Sequence, residues 1–278
     1  MFELECEIPE SIPRYLLVTF GDGSLGWRNA ARRLRRQTEA FGMVAKMIGH
    51  DRKSLQNIIP ELKSLNFNRR TRGFGYWIWK PLLVSYYISN CPTGIDGIIY
   101  LDAGCTLNLN SKSRERFSEY LKLSQEFGGL GFQMNHREEA WTKEDLLHLL
   151  DTGIGDRNSG QVLAGAFFLE KNTGAALAEE WLQLALQSHL LDDSPSKLSN
   201  SVDFIEHRHD QSIFSLLAKK YNLLLLPDET AFHPGVNLDQ AQTFENKPIW
   251  ATRHRSFMNS LSMNPVIRVV RSIERNVP

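Results

Sequence analysis

The chain has 278 residues, and its 32 lysines and arginines balance 32 aspartates and glutamates, so the formal net charge is zero. This balance argues against nucleic acid as a partner, because phosphate backbones select proteins with a clear basic excess. Apolar residues make up 42% of the chain, which is ordinary for a folded protein and argues against disorder. The length predicts a single domain over 1–278, with an irregular C-terminal extension over 231–278.

The cellular location is predicted from cysteines and apolar runs. The cysteines are three in number and lack paired spacing: Cys6, Cys91 and Cys105. A disulfide framework is therefore not expected, and the sequence predicts a reducing compartment. The acidic N-terminal segment has no apolar core of the kind that a secretory signal needs. Apolar runs such as 223–226 are too short to cross a bilayer. The sequence therefore predicts a cytoplasmic protein without a transmembrane segment, and it leaves peripheral membrane association open.

The predicted elements alternate between strands and helices along the chain. Apolar runs predict strands at 15–20, 43–48, 97–101, 129–134, 164–169 and 222–226. Helical patterns fall at 27–41, 55–65, 81–89, 114–127, 174–187 and 210–220. Such alternation is typical of a mostly parallel sheet covered by helices on both faces. The predicted fold class is therefore α/β.

The turn after the first strand gives one interpretation of function. The segment 21–26 reads Gly-x-Gly-x-x-Gly between a predicted strand and a predicted helix, as a dinucleotide-binding fingerprint requires. Asp51, after the next predicted strand, would then hold the ribose. A nucleotide-dependent oxidoreductase is therefore one alternative.

The strongest local signal is the apolar strand that ends in Asp102. This order places a carboxylate at the carboxyl edge of the sheet, where open α/β folds bind ligands. The run YLDAG over 100–104 resembles the Asp-x-Asp strand of GT-A glycosyltransferases, with Gly104 in place of the second Asp. The resemblance implies a Rossmann-like GT-A fold, a nucleotide-sugar site at Asp102 and Gly104, and a divalent metal, Mn or Mg, on Asp102. A turn or helix-cap role is the alternative for Asp102.

Further segments extend the resemblance to glycogenin-like and bacterial capsule or lipopolysaccharide glycosyltransferases. The run over 163–169, which includes Gly165, takes the place of a later strand in that group. Asp210 and Gln211 match an Asp-Gln pair that opens a helix, and His233 lies in a stretched version of a C-terminal motif. The resemblance implies that Asp210 addresses the acceptor. A neutral imidazole suits Mn or Zn, so His233 or His254 is a candidate for the missing metal ligand. An N-cap role for Asp210 is the alternative.

The segment RGFGYWIWKPLL over 72–83 resembles the stretch that leads into the donor strand of the same group. By this resemblance Lys80 and Arg72 would neutralise the diphosphate. Trp77 and Trp79 would lie on opposite faces if the segment is extended, with one in the core and the other, for instance Trp79, stacked on a sugar or base.

The loop after the strand 129–134 carries Glu139 and Trp141, which we expect to meet the acceptor together with Gln211. The sequence thus predicts a hexosyltransferase-like glycosyltransferase, which moves a sugar from a nucleotide-sugar donor to a glycan hydroxyl. The resemblance implies a role in cell-surface polysaccharide biosynthesis. Because Gly104 replaces an acid, a catalytically inactive glycan-binding relative is a second alternative. The stereochemistry of transfer stays open.

Overall fold

The computed structural model describes residues 2–5 (backbone only), 12–65, 67–230 and 245–252. Its strands are β1 (Phe2–Glu5), β2 (Tyr15–Phe20), β3 (Lys46–His50), β4 (Gly97–Leu101), β5 (Thr106–Leu107), β6 (Gly129–Arg137), β7 (Gly160–Val162), β8 (Ala166–Glu170), β9 (Leu224–Pro227) and β10 (Ile249–Trp250). Its helices are α1 (Leu25–Phe41), α2 (Arg52–Ile58), α3 (Gly73–Tyr76), α4 (Trp79–Ser89), α5 (Ser111–Glu126), α6 (Glu138–Trp141), α7 (Glu144–Leu149), α8 (Ile154–Asn158), α9 (Lys171–Ala185), α10 (Ser188–Leu191) and α11 (Asp210–Lys220), with a 3-10 turn at Pro60–Lys63.

Eight of the described strands form one sheet in the order β1-β3-β2-β4-β8-β6-β7, with β9 beside β6. Strands β2, β3, β4, β6 and β9 point in the same direction, whereas β1, β7 and β8 run against them. The predicted α/β class and the mostly parallel sheet flanked by helices are confirmed, with antiparallel pairings where β8 lies between β4 and β6.

Side chains alternate across the sheet and build a core on each face. On β2, Leu16 and Val18 point towards α4, α9 and α11, whereas Leu17 packs with residues of α1 and α5 on the other face. The same alternation on β4 sends Tyr100 to the α4 face and Leu101 to the α5 face. A sheet buried on both faces explains why its strands read as continuous apolar runs.

Some boundaries differ from the predictions. The helix predicted over 55–65 is two shorter pieces, because Ile59 precedes Pro60 and that position disfavours helical backbone. The predicted C-terminal extension 231–278 is described only over 245–252, where β10 pairs with β5 and is therefore a strand. Among the described helices, none has both the length and the apolar character that a membrane span requires.

Candidate active site

An open cavity of about 330 Å³ lies at the sheet edge where the parallel neighbours β2 and β4 end. Gly21 and Asp22, which follow β2, line one side, and Asp102 and Ala103, which follow β4, line another. Because β3 pairs with the far edge of β2, the strand order reverses between β2 and β4. Open α/β sheets bind ligands in the crevice at such a reversal, so a ligand is expected here.

Aromatic side chains form one wall of this cavity. Phe20, Phe74, Trp77 and Trp79 line it. The rings of Phe20 and Trp79 lie 4.4 Å apart between centroids, and Trp79 donates its indole N–H to the Gly73 carbonyl at 3.0 Å. The wall offers an apolar surface on which a base or sugar ring can stack.

The segment that carries this wall is not extended, so the prediction that Trp77 and Trp79 lie on opposite faces is wrong. Phe74 and Trp77 have φ of 59° and 63°, and the chain coils back so that both tryptophans line the same cavity. Gly73 has φ of 56°, and a Cβ there would lie 2.4 Å from the Trp77 ring. Left-handed backbone at non-glycine residues costs about 1–3 kcal/mol each and clusters at ligand sites.

Asp102 lines the cavity and has one carboxylate oxygen bonded within the protein. The hydroxyl of Tyr100, two residues earlier on the same face, donates to Asp102 Oδ1 at 2.7 Å. A Cβ added at Gly165 would lie 2.9 Å from Oδ2, so the glycine keeps space beside that oxygen. The side chain of Asp102 is 46% exposed. The half-exposed carboxylate can accept hydrogen bonds from ligand hydroxyls.

The turn after Asp102 is held by side chains from two other elements. The buried Arg33 on α1 donates Nη2 to the carbonyl of Cys105 at 2.8 Å and to that of Ala103 at 3.3 Å. The Thr252 hydroxyl donates to the carbonyl of Gly104 at 3.0 Å. Gly104 itself is not among the residues that line the cavity, so its predicted part in donor binding stays a prediction.

Lys80 lies buried beneath Asp102. Its Nζ is 2.7 Å from Asp210 Oδ2 and 3.7 Å from Asp102 Oδ1, and it donates to the Ala164 carbonyl at 3.1 Å. Burial alone would lower the pKa of Lys80, but the two carboxylates outweigh it and the pKa is raised. A permanent positive charge therefore lies between the two acids that the sequence singles out.

Asp210 is the first residue of α11, and the N-cap position belongs to His209, so the N-cap alternative for Asp210 is wrong. The Asp210 side chain points to Lys80 instead. Burial raises the pKa of Asp210 to about 6, because the opposing effect of Lys80 does not fully compensate. The sequence thus identified both partners of a buried ion pair without indicating that they meet.

Asp22 and Arg69 line the cavity, and sequence reasoning missed both. Asp22 accepts the backbone N–H groups of Gly23 at 2.6 Å and Arg52 at 3.1 Å, and Arg69 Nη2 lies 2.9 Å away. Burial would raise the pKa of Asp22, but these donors lower it. Asp22 follows β2 as Asp102 follows β4, so the same strand-end rule was available to find it. Arg69 leaves half its side chain exposed at the cavity.

Arg72, predicted at the donor, does not line this cavity. Its guanidinium pairs with Asp193 at 3.1 Å and approaches Glu206 at 3.9 Å. Asp51, the ribose ligand of the dinucleotide alternative, caps α2 by accepting the Ser54 N–H at 2.8 Å and is also absent from the described lining. These two side chains are engaged elsewhere in the structure.

The residues predicted at the acceptor lie near the start of α11. Gln211 donates to Gln161 at 3.0 Å, and the Trp141 ring lies 3.9 Å beneath the Arg208 guanidinium. The Trp141 carbonyl accepts a hydrogen bond from Ser212 on α11. Glu139 pairs with Arg137 instead. Their roles towards an acceptor stay predictions.

The predicted metal ligands are not brought together in the described part of the chain. No group of three or more His, Cys, Asp or Glu side chains suited to a metal occurs there, and His233 and His254 lie outside the described residues. Asp102 is one carboxylate beside an ammonium group, and Asp210 is committed to that same ammonium. The described donor set therefore does not fit a divalent cation by itself.

No family model matches the chain. No curated protein matches it either. Among solved structures, it is similar to mouse xyloside xylosyltransferase 1 in its apo form, with a TM-score of 0.46 and 16% identity over 89% of this chain and 99% of that one. It is also similar to a glycosyltransferase involved in the glycosylation of the major capsid of PBCV-1, with a TM-score of 0.48 and 9% identity over 94% and 100%.

The chain is also similar to a structure that is not named as a glycosyltransferase, 4-diphosphocytidyl-2C-methyl-D-erythritol synthase from Anaerococcus prevotii. Its TM-score is 0.40 and its identity 10%, over 94% of this chain and 97% of that one. Glycosyltransferases are thus among the structures that this chain resembles, as the sequence predicts.

Proposed function

We propose that the protein is a glycosyltransferase that moves a sugar from a nucleotide-sugar donor to a hydroxyl of a glycan acceptor. The observation that carries the proposal is the cavity at the ends of β2 and β4, which is lined by both an aromatic wall and the half-exposed carboxylate of Asp102. An aromatic wall suits a base, and a carboxylate oxygen suits the hydroxyls of a ribose or sugar.

The transfer breaks the bond between the anomeric carbon and the diphosphate oxygen. A bond from the acceptor oxygen to that carbon forms, the acceptor proton passes to a carboxylate base or to the departing diphosphate, and negative charge develops on the diphosphate. Arg69, half exposed at the cavity, is placed to stabilise that charge. Lys80 and Asp210 would hold Asp102 in position from below. Cell-surface polysaccharide synthesis is the setting that the sequence resemblance suggests, and both stereochemical outcomes are open.

Thermal unfolding with a panel of nucleotide-sugars, each with Mn²⁺ or with EDTA, tests this proposal. A ligand at a hundred times its dissociation constant adds about 2.7 kcal/mol of stability. We expect one nucleotide-sugar to raise the unfolding temperature and Asp102→Ala to abolish that shift. Asp156→Ala is the matched control, because Asp156 is exposed on α8 and lines neither the cavity nor its rim.

The same panel separates the alternatives. A response to NAD or NADP, with none to nucleotide-sugars, would overturn the transferase and support the glycine loop as a dinucleotide site. Donor binding with no turnover on any acceptor would identify an inactive relative. A shift that needs Mn²⁺ would show a metal site that is completed by the donor's diphosphate or by residues beyond the described ones.

A further inference from the structure

A second cavity of about 330 Å³ lies beneath the 192–207 loop, the irregular segment between α10 and α11. Phe204, Glu206, Asn200 and Ser196 of this loop are among its lining residues, with Lys143 from the start of α7. None of the roles proposed for the first cavity involves this second cavity.

The loop is held in a fixed shape although it has no regular structure. The buried Lys143 donates Nζ to the carbonyls of His189 and Asp192, each at 2.8 Å. Asp145 accepts the backbone N–H groups of Lys197 and Leu198, at 2.9 and 2.8 Å. A cavity built on such bonds is formed before a ligand arrives, which lowers the entropy lost on binding.

The two cavities are joined by one group of side chains. Arg72, which precedes the cavity residue Gly73, pairs with Asp193 in the lining of the second cavity. Asp193 also lies 3.5 Å from His209 Nε2, and the His209 ring stacks on Trp77 of the first cavity at 5.5 Å between centroids. His209 is followed by Asp210. The second cavity therefore lies directly beyond the site assigned to the donor.

The chemistry of the lining suits a neutral saccharide better than an anion. Phe204 supplies an apolar ring, and Glu206, Asn200 and Ser196 supply groups that bond hydroxyls. The ammonium group of Lys143 donates its hydrogen bonds to carbonyls of the loop. His207, also in the lining, is neutral, because burial and its neighbour His209 lower its pKa to about 3. The lining thus carries two carboxylates, Asp193 and Glu206, against one lysine whose donors are used by the loop, and this balance disfavours a phosphate or an acidic sugar.

We propose that this cavity binds a neutral sugar residue of the acceptor glycan, beyond the residue that receives the transferred sugar. The assignment to an acceptor rests on the proposed function, whereas saccharide binding in the cavity does not. The protein would then select oligosaccharide acceptors over single sugars, because only they reach from the reacting centre into the second cavity.

Saturation-transfer difference NMR of the full chain with lactose, maltose and N-acetylglucosamine tests the proposal directly. We expect saturation transfer from the wild-type protein to at least one saccharide. Binding should be about tenfold weaker in Phe204→Ala, which loses the stacking surface. Phe127→Ala is the matched control, because Phe127 is exposed at the end of α5 and lines neither cavity. Glu206→Gln, at a half-exposed side chain, should weaken binding without disturbing the fold.

Saccharide binding that is lost in Phe204→Ala but kept in Phe127→Ala and Asp102→Ala supports the cavity. Binding to Phe204→Ala and to Glu206→Gln that is as strong as binding to the wild type overturns the proposal. The absence of binding to the wild type also overturns it. Failure of the proposed function has a different signature, namely no response to any nucleotide-sugar while the saccharide signals persist. In that case the cavity stands as a glycan site of a protein that is not a transferase.

Discussion

The two cavities have similar volumes but are built in different ways. The first lies where two parallel strands end, and its acids are placed by strand alternation and by the turns that follow β2 and β4. The second lies under an irregular loop whose shape depends on one buried lysine and on carboxylates that accept backbone N–H groups. The backbone of the first site is therefore fixed by the sheet, whereas the backbone of the second depends on individual side chains.

The largest expected effect is in the ion pair beneath the first cavity. Lys80→Met should lower the free energy of unfolding by about 3–5 kcal/mol, because it leaves the buried Asp210 carboxylate without its partner. Urea unfolding followed by tryptophan fluorescence measures this. Adding Asp210→Asn should recover part of the loss. A single Lys80→Met variant as stable as the wild type would contradict the geometry.

A smaller effect is expected at the loop. Lys143→Met should cost about 1–3 kcal/mol, because the carbonyls of His189 and Asp192 lose a buried donor. The loop should also become sensitive to limited proteolysis between 192 and 207, while nucleotide-sugar binding at the first cavity is kept. Lys220→Met, at an exposed pair on α11, is the control. Protease resistance equal to that of the wild type would show that the loop does not depend on Lys143.

These differences explain how much could be predicted from the sequence. Strand 97–101 and the position of Asp102 could be predicted because an acid that ends an apolar strand lies at the carboxyl edge of an α/β sheet. Trp77 was misplaced because its assignment assumed extended backbone, whereas left-handed residues at Phe74 and Trp77 turn the chain. The meeting of Lys80 with Asp210 joins α4 to α11, and no local pattern encodes a contact over such a separation.

Even fewer features of the local sequence predict the second cavity. The 192–207 segment has the serines, aspartates and proline of a solvated loop, and the bonds that fix it come from Lys143 and Asp145, some fifty residues earlier. A buried lysine that donates to loop carbonyls has the same sequence signature as a lysine on the surface. Only the three-dimensional contacts distinguish the two.

The last expected effect concerns the pH dependence of the buried pair. The pKa of Asp210 is about 6 in the folded chain against an ordinary value of 3.8, so the folded state holds this proton more tightly. Stability from this group is therefore present below about pH 4 and is lost as pH rises through about 6. Asn cannot titrate, so the stability of the wild type relative to Asp210→Asn should fall between pH 4 and pH 7, as followed by unfolding temperature. A relative stability that stays flat over this range would mean that Lys80 dominates the pair and holds Asp210 ionised throughout, because the titration difference would then lie below about pH 4. The charges beneath the donor cavity would in that case be fixed across the range.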